Sequence, residues 1–235
     1  MRISQENIYE VCEESRIWES KLQLDYTNIL ELGCGTADLT RKIATAGTDR
    51  CITAMEVDAI QHAKNLQVED MPNVRFVAGG AEHIPAADHS YDIVFMFKSL
   101  HHVPIDCMDK ALDEIRRVLK PGGRAYISEP IFAGDFNDIL RLFHDEEQVR
   151  KAAFAAVKKA VDNGQFSLLE EVFFLTPMHF ANFSEFEQKV IGVTHSQHHL
   201  SDEIYQQVKQ AFSTKMTDDG ASFQMPMRVD VLEAL

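Results

Sequence analysis

Five short strand-like runs, at 28–32, 51–57, 74–77, 91–97 and 124–128, are separated by stripes of helical period at 39–46, 59–66 and 106–119. That alternation constrains the fold more than any other feature. The run Asp92-Ile93-Val94-Phe95-Met96-Phe97 does not alternate apolar with polar, so it reads as a strand buried on both faces. The stripe at 106–119 places Ala111, Leu112, Ile115, Val118 and Leu119 on one face and stops at Pro121-Gly122-Gly123. Strands alternating with helices require right-handed crossovers and a parallel sheet covered on both sides, a doubly wound α/β fold.

The second half reads differently. Helical patterns fall at 135–143 and 146–161, broken by Asn163-Gly164, and again at 183–193 and 201–212. Strand patterns fall at 166–175, ending at Thr176-Pro177, and at 222–232. No repeat or low-complexity linker divides the 235 residues, so one domain over 1–235 is expected, with a helical N-terminal segment at 1–27, a ligand-binding half at 28–130 and helical additions at 131–221. Hydrophobic residues at 45% allow a core without disulfides, and the scattered Cys12, Cys34, Cys51 and Cys107 read as reduced structural thiols. No apolar run approaches the ~20 residues of a membrane helix, and the N-terminus lacks a basic-then-apolar leader, so a cytoplasmic protein is expected. The net charge of −14 repels polyanions, which argues against nucleic acid as a partner.

The chemistry concentrates at Glu31-Leu32-Gly33-Cys34-Gly35-Thr36, where the first strand ends and a helix begins. Ligands of such sheets bind beyond the carboxyl ends of the strands. Glycines at 33 and 35 permit a sharp turn and close approach of a ligand, and the following helix aims its free N–H groups at it. About 20 residues on, the second strand ends at Met55-Glu56-Val57-Asp58, where an acid suits a ribose diol. Glu56, inside the strand, fits that role, and Asp58 fits a helix cap.

These residues bring a family into view. Glu31-x-Gly33-x-Gly35, Glu56, Val77-Ala78-Gly79-Gly80-Ala81-Glu82 with Ile84-Pro85, Tyr91-Asp92-Ile93-Val94, Leu100-His101-His102-Val103 and Arg117-Val118-Leu119-Lys120-Pro121-Gly122-Gly123 stand in order. Over roughly residues 28–130 the chain resembles the class I S-adenosylmethionine (SAM)-dependent methyltransferases. The resemblance implies a seven-stranded sheet of order 3-2-1-4-5-7-6 with the last strand antiparallel, with 166–175 and 222–232 as strands six and seven. It implies that Gly33, Cys34 and Gly35 cradle the methionine part of SAM, with Glu31 near its amino group. Glu56 would hold the ribose hydroxyls, Val57, Gly80, Ala81 and Glu82 would line the adenine side, and Phe97, at the end of strand four, would also contact the cofactor. The family usually carries an acid where this chain has Gly80, so either Glu82 substitutes or backbone and apolar packing hold adenine.

A dinucleotide oxidoreductase would prefer a third glycine where this chain has Asp38, an acid that repels pyrophosphate. A SAM-binding protein without methyl transfer is the other alternative. Candidate catalytic groups are Lys98, a charge ending an apolar run, then His101 and Glu129, each with a structural reading beside the catalytic one. No metal site is expected: His195 and His199 would share a helix face with His198 nearby, but no third ligand type is signalled. The long segments after strands five and six would roof an acceptor pocket, with Phe132, Phe136, Phe143, Phe180, Phe183 and Phe186 as lining or as the cap's own core. A helix at 6–21, carrying Ile8, Val11, Cys12 and Trp18, would close the other side. A small-molecule acceptor is expected.

Overall fold

The structure, a computed structural model, describes residues 1–192 and 200–235. The pattern that favours parallel pairing is realised as β1 (Asn28–Leu32), β2 (Cys51–Glu56), β3 (Val74–Ala78), β4 (Tyr91–Phe97) and β5 (Leu119–Pro130). β1 pairs in parallel with both β2 and β4, β2 with β3, and β4 with β5. β6 (Phe166–Phe180) and β8 (Gly220–Ala234) complete the sheet in the order β3-β2-β1-β4-β5-β8-β6, with β8 antiparallel to both neighbours. The short β7 (Met216–Thr217) folds back on β8, so the expected strand seven is β8 and the expected order is met.

Both faces are covered. On one, the crossover helix α4 (Met108–Val118) buries Ala111, Leu112, Ile115 and Val118, and α6 (Glu147–Asp162) buries Ala153, Val157 and Ala160. On the other, α1 (Glu14–Lys21) and α2 (Asp38–Thr45) cover Ile29, Ile93, Phe95, Phe97 and Tyr126. Trp18 meets Phe97 at 5.1 Å between ring centroids, and Phe95 stacks on Phe97 at 4.8 Å. Each such buried ring contributes about 1.5–3 kcal/mol. α3 (Ala59–Asn65) links β2 to β3. The additions are α5 (Asp135–Leu140), α7 (Phe183–Phe186) with a π-helical turn over Glu187–Ile191, and α8 (Asp202–Ser213). Phe136, Phe180 and Phe186 close a third core with Phe212 and Phe223, so these rings serve the additions themselves.

Three boundaries differ from expectation. The N-terminal helix begins at Glu14, not at residue 6. Cys12 N–H donates to Leu175 O at 3.1 Å and Leu175 N–H to Glu10 O at 2.8 Å, so this segment pairs with the sheet edge. An open edge offers its backbone groups to any nearby chain, and here pairing wins over helix propensity. β6 runs past Thr176-Pro177 to Phe180, because proline's missing N–H is tolerated on a strand at the sheet border. β5 begins directly after α4, with a register shift opposite Tyr91 and Ile93 absorbing the Pro121-Gly122-Gly123 turn. No helix among the described residues is long and apolar enough to cross a membrane. His195, His198 and His199 lie outside the described residues.

Candidate active site

The bend after β1 is fixed by two N–H groups sharing one acceptor: Gly33 and Cys34 both donate to Met55 O at 2.9 Å. Gly33 has φ +76°, and a Cβ there would stand 2.8 Å from Ser99 Cβ. Gly35 has φ +52°, and no atom lies within 4 Å of where its Cβ would be, so the bend is open on that side. Ala37 caps α2 with left-handed geometry and no side-chain acceptor, leaving the first N–H groups of the helix without a side-chain cap. Asp38 accepts from Thr36 Oγ1 at 2.7 Å, which keeps its carboxylate beside its own turn. Burial raises the Cys34 thiol far above its ordinary range, and Asn65 donates to its sulfur at 3.5 Å, so this cysteine is a packing group.

Two acids flank the bend. Glu56, at the end of β2, accepts from Gly35 N–H at 2.7 Å and from Asp58 N–H at 2.8 Å, one bond to each oxygen. Each oxygen keeps a further lone pair. Asp58 caps α3 by accepting from Ile60 N–H at 2.8 Å, the role its position suggested. Beyond it, Val57 and Ile60 present apolar side chains to solvent. Glu31, at 1% exposure, accepts from Thr40 Oγ1 at 2.6 Å. Burial, opposed by the Thr40 bond, pushes its carboxyl up to about 7.

On the loop after β3, Ala81 and Ile84 are buried. A Cβ on Gly80 would meet Glu82 Oε2 at 2.4 Å, so the carboxylate of Glu82 occupies the space where a side chain at 80 would begin. The loop is clamped from α4: Glu114 accepts from Ile84 N–H at 2.9 Å, and Arg117 donates to Ile84 O at 2.9 Å and Ala86 O at 2.7 Å.

At the end of β4, Lys98 is half-buried with φ +53°, and its N–H donates to Ser128 O at 2.7 Å. Ser99 Oγ donates to Leu32 O at 2.8 Å, joining β4 to the glycine bend. Phe97 turns its ring into the aromatic core rather than toward the crevice. His101 and Glu129 are brought together, but with each other: His101 Nδ1 donates to Glu129, which also accepts from Leu100 N–H at 2.9 Å. Burial disfavours the His101 imidazolium, yet the carboxylates of Glu129 and Glu146 outweigh it and hold its pKa at about 9. Neither residue stands as an unengaged base.

Sequence reading missed two groups. Glu14 is buried beneath the sheet, accepting from Tyr126 OH at 3.4 Å; burial raises its pKa, opposed by Lys98 and Ser128. Its signal was its place on the stripe with Ile17 and Trp18, three and four residues on. Glu146 and Arg150 form a buried pair at 2.5 Å, and Arg150 donates to Asn137 Oδ1 at 3.0 Å. Their signal was the same spacing, leading into Ala153 and Val157. A groove of about 550 Å³ opens at the opposite edge, along the amino ends of β1 to β4, the wrong end of a parallel sheet for a ligand.

Residues 29–123 match the family model described as a methyltransferase domain. The bifunctional biotin biosynthesis protein BioHC of Cellvibrio japonicus is 37% identical over 107 residues, covering 45% of this chain and 20% of that protein. The ubiquinone/menaquinone biosynthesis C-methyltransferase UbiE of Hahella chejuensis is 32% identical over 123 residues, covering 50% of this chain and 48% of that one. This chain thus matches less than half the length of each. Among solved structures, the YcgJ protein of Bacillus subtilis superposes with a TM-score of 0.63 at 17% identity, covering 94% of this chain and 96% of that one. With the sheet order, the glycine bend and the acid after β2 in place, the chain has the class I SAM-dependent methyltransferase fold, and its residues 29–123 match a methyltransferase domain.

Proposed function

We propose that the chain is a SAM-dependent methyltransferase acting on a small-molecule acceptor. The observation that carries this reading is Glu56, anchored between the N–H groups of Gly35 and Asp58 at the lip of an open glycine bend. A two-oxygen acceptor held so, with spare lone pairs, suits the vicinal hydroxyls of a ribose. The cofactor, when bound, supplies an activated methyl on a sulfonium.

The chain's own residues then bind, orient and exclude water. Gly33, Cys34 and Gly35 present backbone to the amino-acid end, with the buried Glu31 behind the bend able to complement an ammonium. Val57, with Ile60, offers an apolar surface to a flat base, and Ala81 and Ile84 pack the far side. Glu82 stands in for the acid absent at Gly80, because its carboxylate lies over that residue. Lys98, at the end of β4, suits an acceptor with an anionic group. Holding acceptor and methyl in line can supply ~7–11 kcal/mol in favourable systems. The cap over 131–221 favours a small acceptor, the charge of −14 disfavours nucleic acid, and a single cytoplasmic domain over 1–235 is the simplest setting.

The test is incubation of the chain with methyl-labelled SAM and a metabolite extract, read by mass spectrometry. One acceptor gaining one labelled methyl, lost in Glu56→Ala, is the expected outcome. Tight cofactor binding with no labelled product in any extract would instead favour a binding protein.

A further inference from the structure

His101, His102 and Glu146 each offer one ligand atom, and these atoms lie within 4.8 Å of one another. They come from two separate places: the turn Leu100–His102 after β4, and the residue that precedes α6. His101 Nε2 stands 3.5 Å from Glu146 Oε1, near the roughly 3.3 Å expected between two ligands of a tetrahedral zinc with bonds of ~2.0–2.1 Å. We propose that these three residues form a divalent transition-metal site at the catalytic edge of the sheet.

Four further observations point the same way. The other nitrogen of His101 donates to Glu129, which fixes the ring and leaves Nε2 toward Glu146. Metal-bound histidines are oriented by this carboxylate–imidazole arrangement. Glu146 is held as well: Arg150 donates to its Oε2 at 2.5 Å, which turns Oε1 toward the histidines. His144 Nε2 also reaches Glu146 Oε1, at 2.9 Å, so a third imidazole borders the same oxygen. His101 and Glu146 are buried while His102 is exposed, which gives an ion a path from solvent to a largely enclosed set.

Two imidazoles and one carboxylate suit zinc and the other borderline divalent metals, not calcium or magnesium, and three protein ligands leave a position for water or an acceptor oxygen. The site joins the turn after β4 to the residue that precedes α6, so metal binding would brace that helix against the sheet edge. This proposal stands independently of methyl transfer.

The test is calorimetric titration of the full chain with Zn²⁺ after chelator treatment, with Co²⁺ visible absorption as a second readout. One equivalent binding at micromolar affinity or tighter is expected. His102→Ala, chosen because the side chain is exposed and its loss spares the core, should weaken binding at least tenfold. Glu129→Gln should weaken it about tenfold through the orientation of His101, and His179→Ala, on β6, should leave it unchanged. Absence of saturable binding below ~0.1 mM overturns the proposal. So does unchanged affinity in His102→Ala, including the case in which joint replacement of His195, His198 and His199 by alanine abolishes binding.

Discussion

At Gly33 two demands coincide, a left-handed backbone and 2.8 Å clearance from Ser99. Gly33→Ala should therefore lower stability by about 2 kcal/mol or more, since the conformation alone costs an L-residue roughly 1–2 kcal/mol. Adding Ser99→Gly should restore only the steric part, read as incomplete recovery in urea melts. Glu31 makes a second residue-scale prediction. Its carboxyl is raised from an ordinary 4.5 to about 7 by burial, so the folded state holds the proton more tightly than the unfolded one. The stability this confers is complete below pH ~4.5 and is lost as pH rises through about 7, on the order of 3 kcal/mol at most. Asp230, buried and raised to about 6, adds a decline of the same sign. Glu31→Gln should flatten the profile and raise stability at pH 8 while weakening S-adenosylhomocysteine binding. A variant with an unchanged pH profile would show that Glu31 does not titrate in this window.

At the scale of elements, the clamp from α4 to the loop after β3 gives the clearest case. Arg117 holds the Glu114 carboxyl at about 2, and together they satisfy backbone groups of Ile84 and Ala86. Arg117→Ala should cost about 1–2 kcal/mol and speed amide exchange across 82–88, with cofactor affinity falling as Glu82 loses its support. Exchange confined to α4 would contradict this coupling. The strand–helix alternation of the first half was legible because strands buried on both faces carry no polar interruptions. The start of α1 and the end of β6 were not, because each depends on strand pairing that no local pattern encodes: the segment before α1 pairs with Leu175, some 160 residues on, and the end of β6 pairs with β8. The π-turn at Glu187–Ile191 was hidden for a similar reason: its apolar spacing is helical whichever hydrogen-bond register closes it.

For the molecule as a whole, the glycine bend and the acid after β2 were readable from the chain, because both are fixed by local backbone geometry. The acceptor side was less so. Lys98 stands at the expected edge, whereas His101 and Glu129 are spent on a buried network completed by Glu146 and Arg150, residues that reach the site only through packing of α6. The pairing of His101 with Glu129 and Glu146, across separate elements, leaves no spacing signal. The central claim, that the bend at Gly33 to Gly35 and the carboxylate of Glu56 receive a sulfonium nucleoside, is tested most directly by titrating S-adenosylhomocysteine into the wild-type chain and into Glu56→Ala. The account predicts one site per chain at micromolar affinity, weakened at least tenfold by a substitution that leaves the melting cooperative. No heat of binding at tens of micromolar, or equal affinity in both proteins, would contradict it.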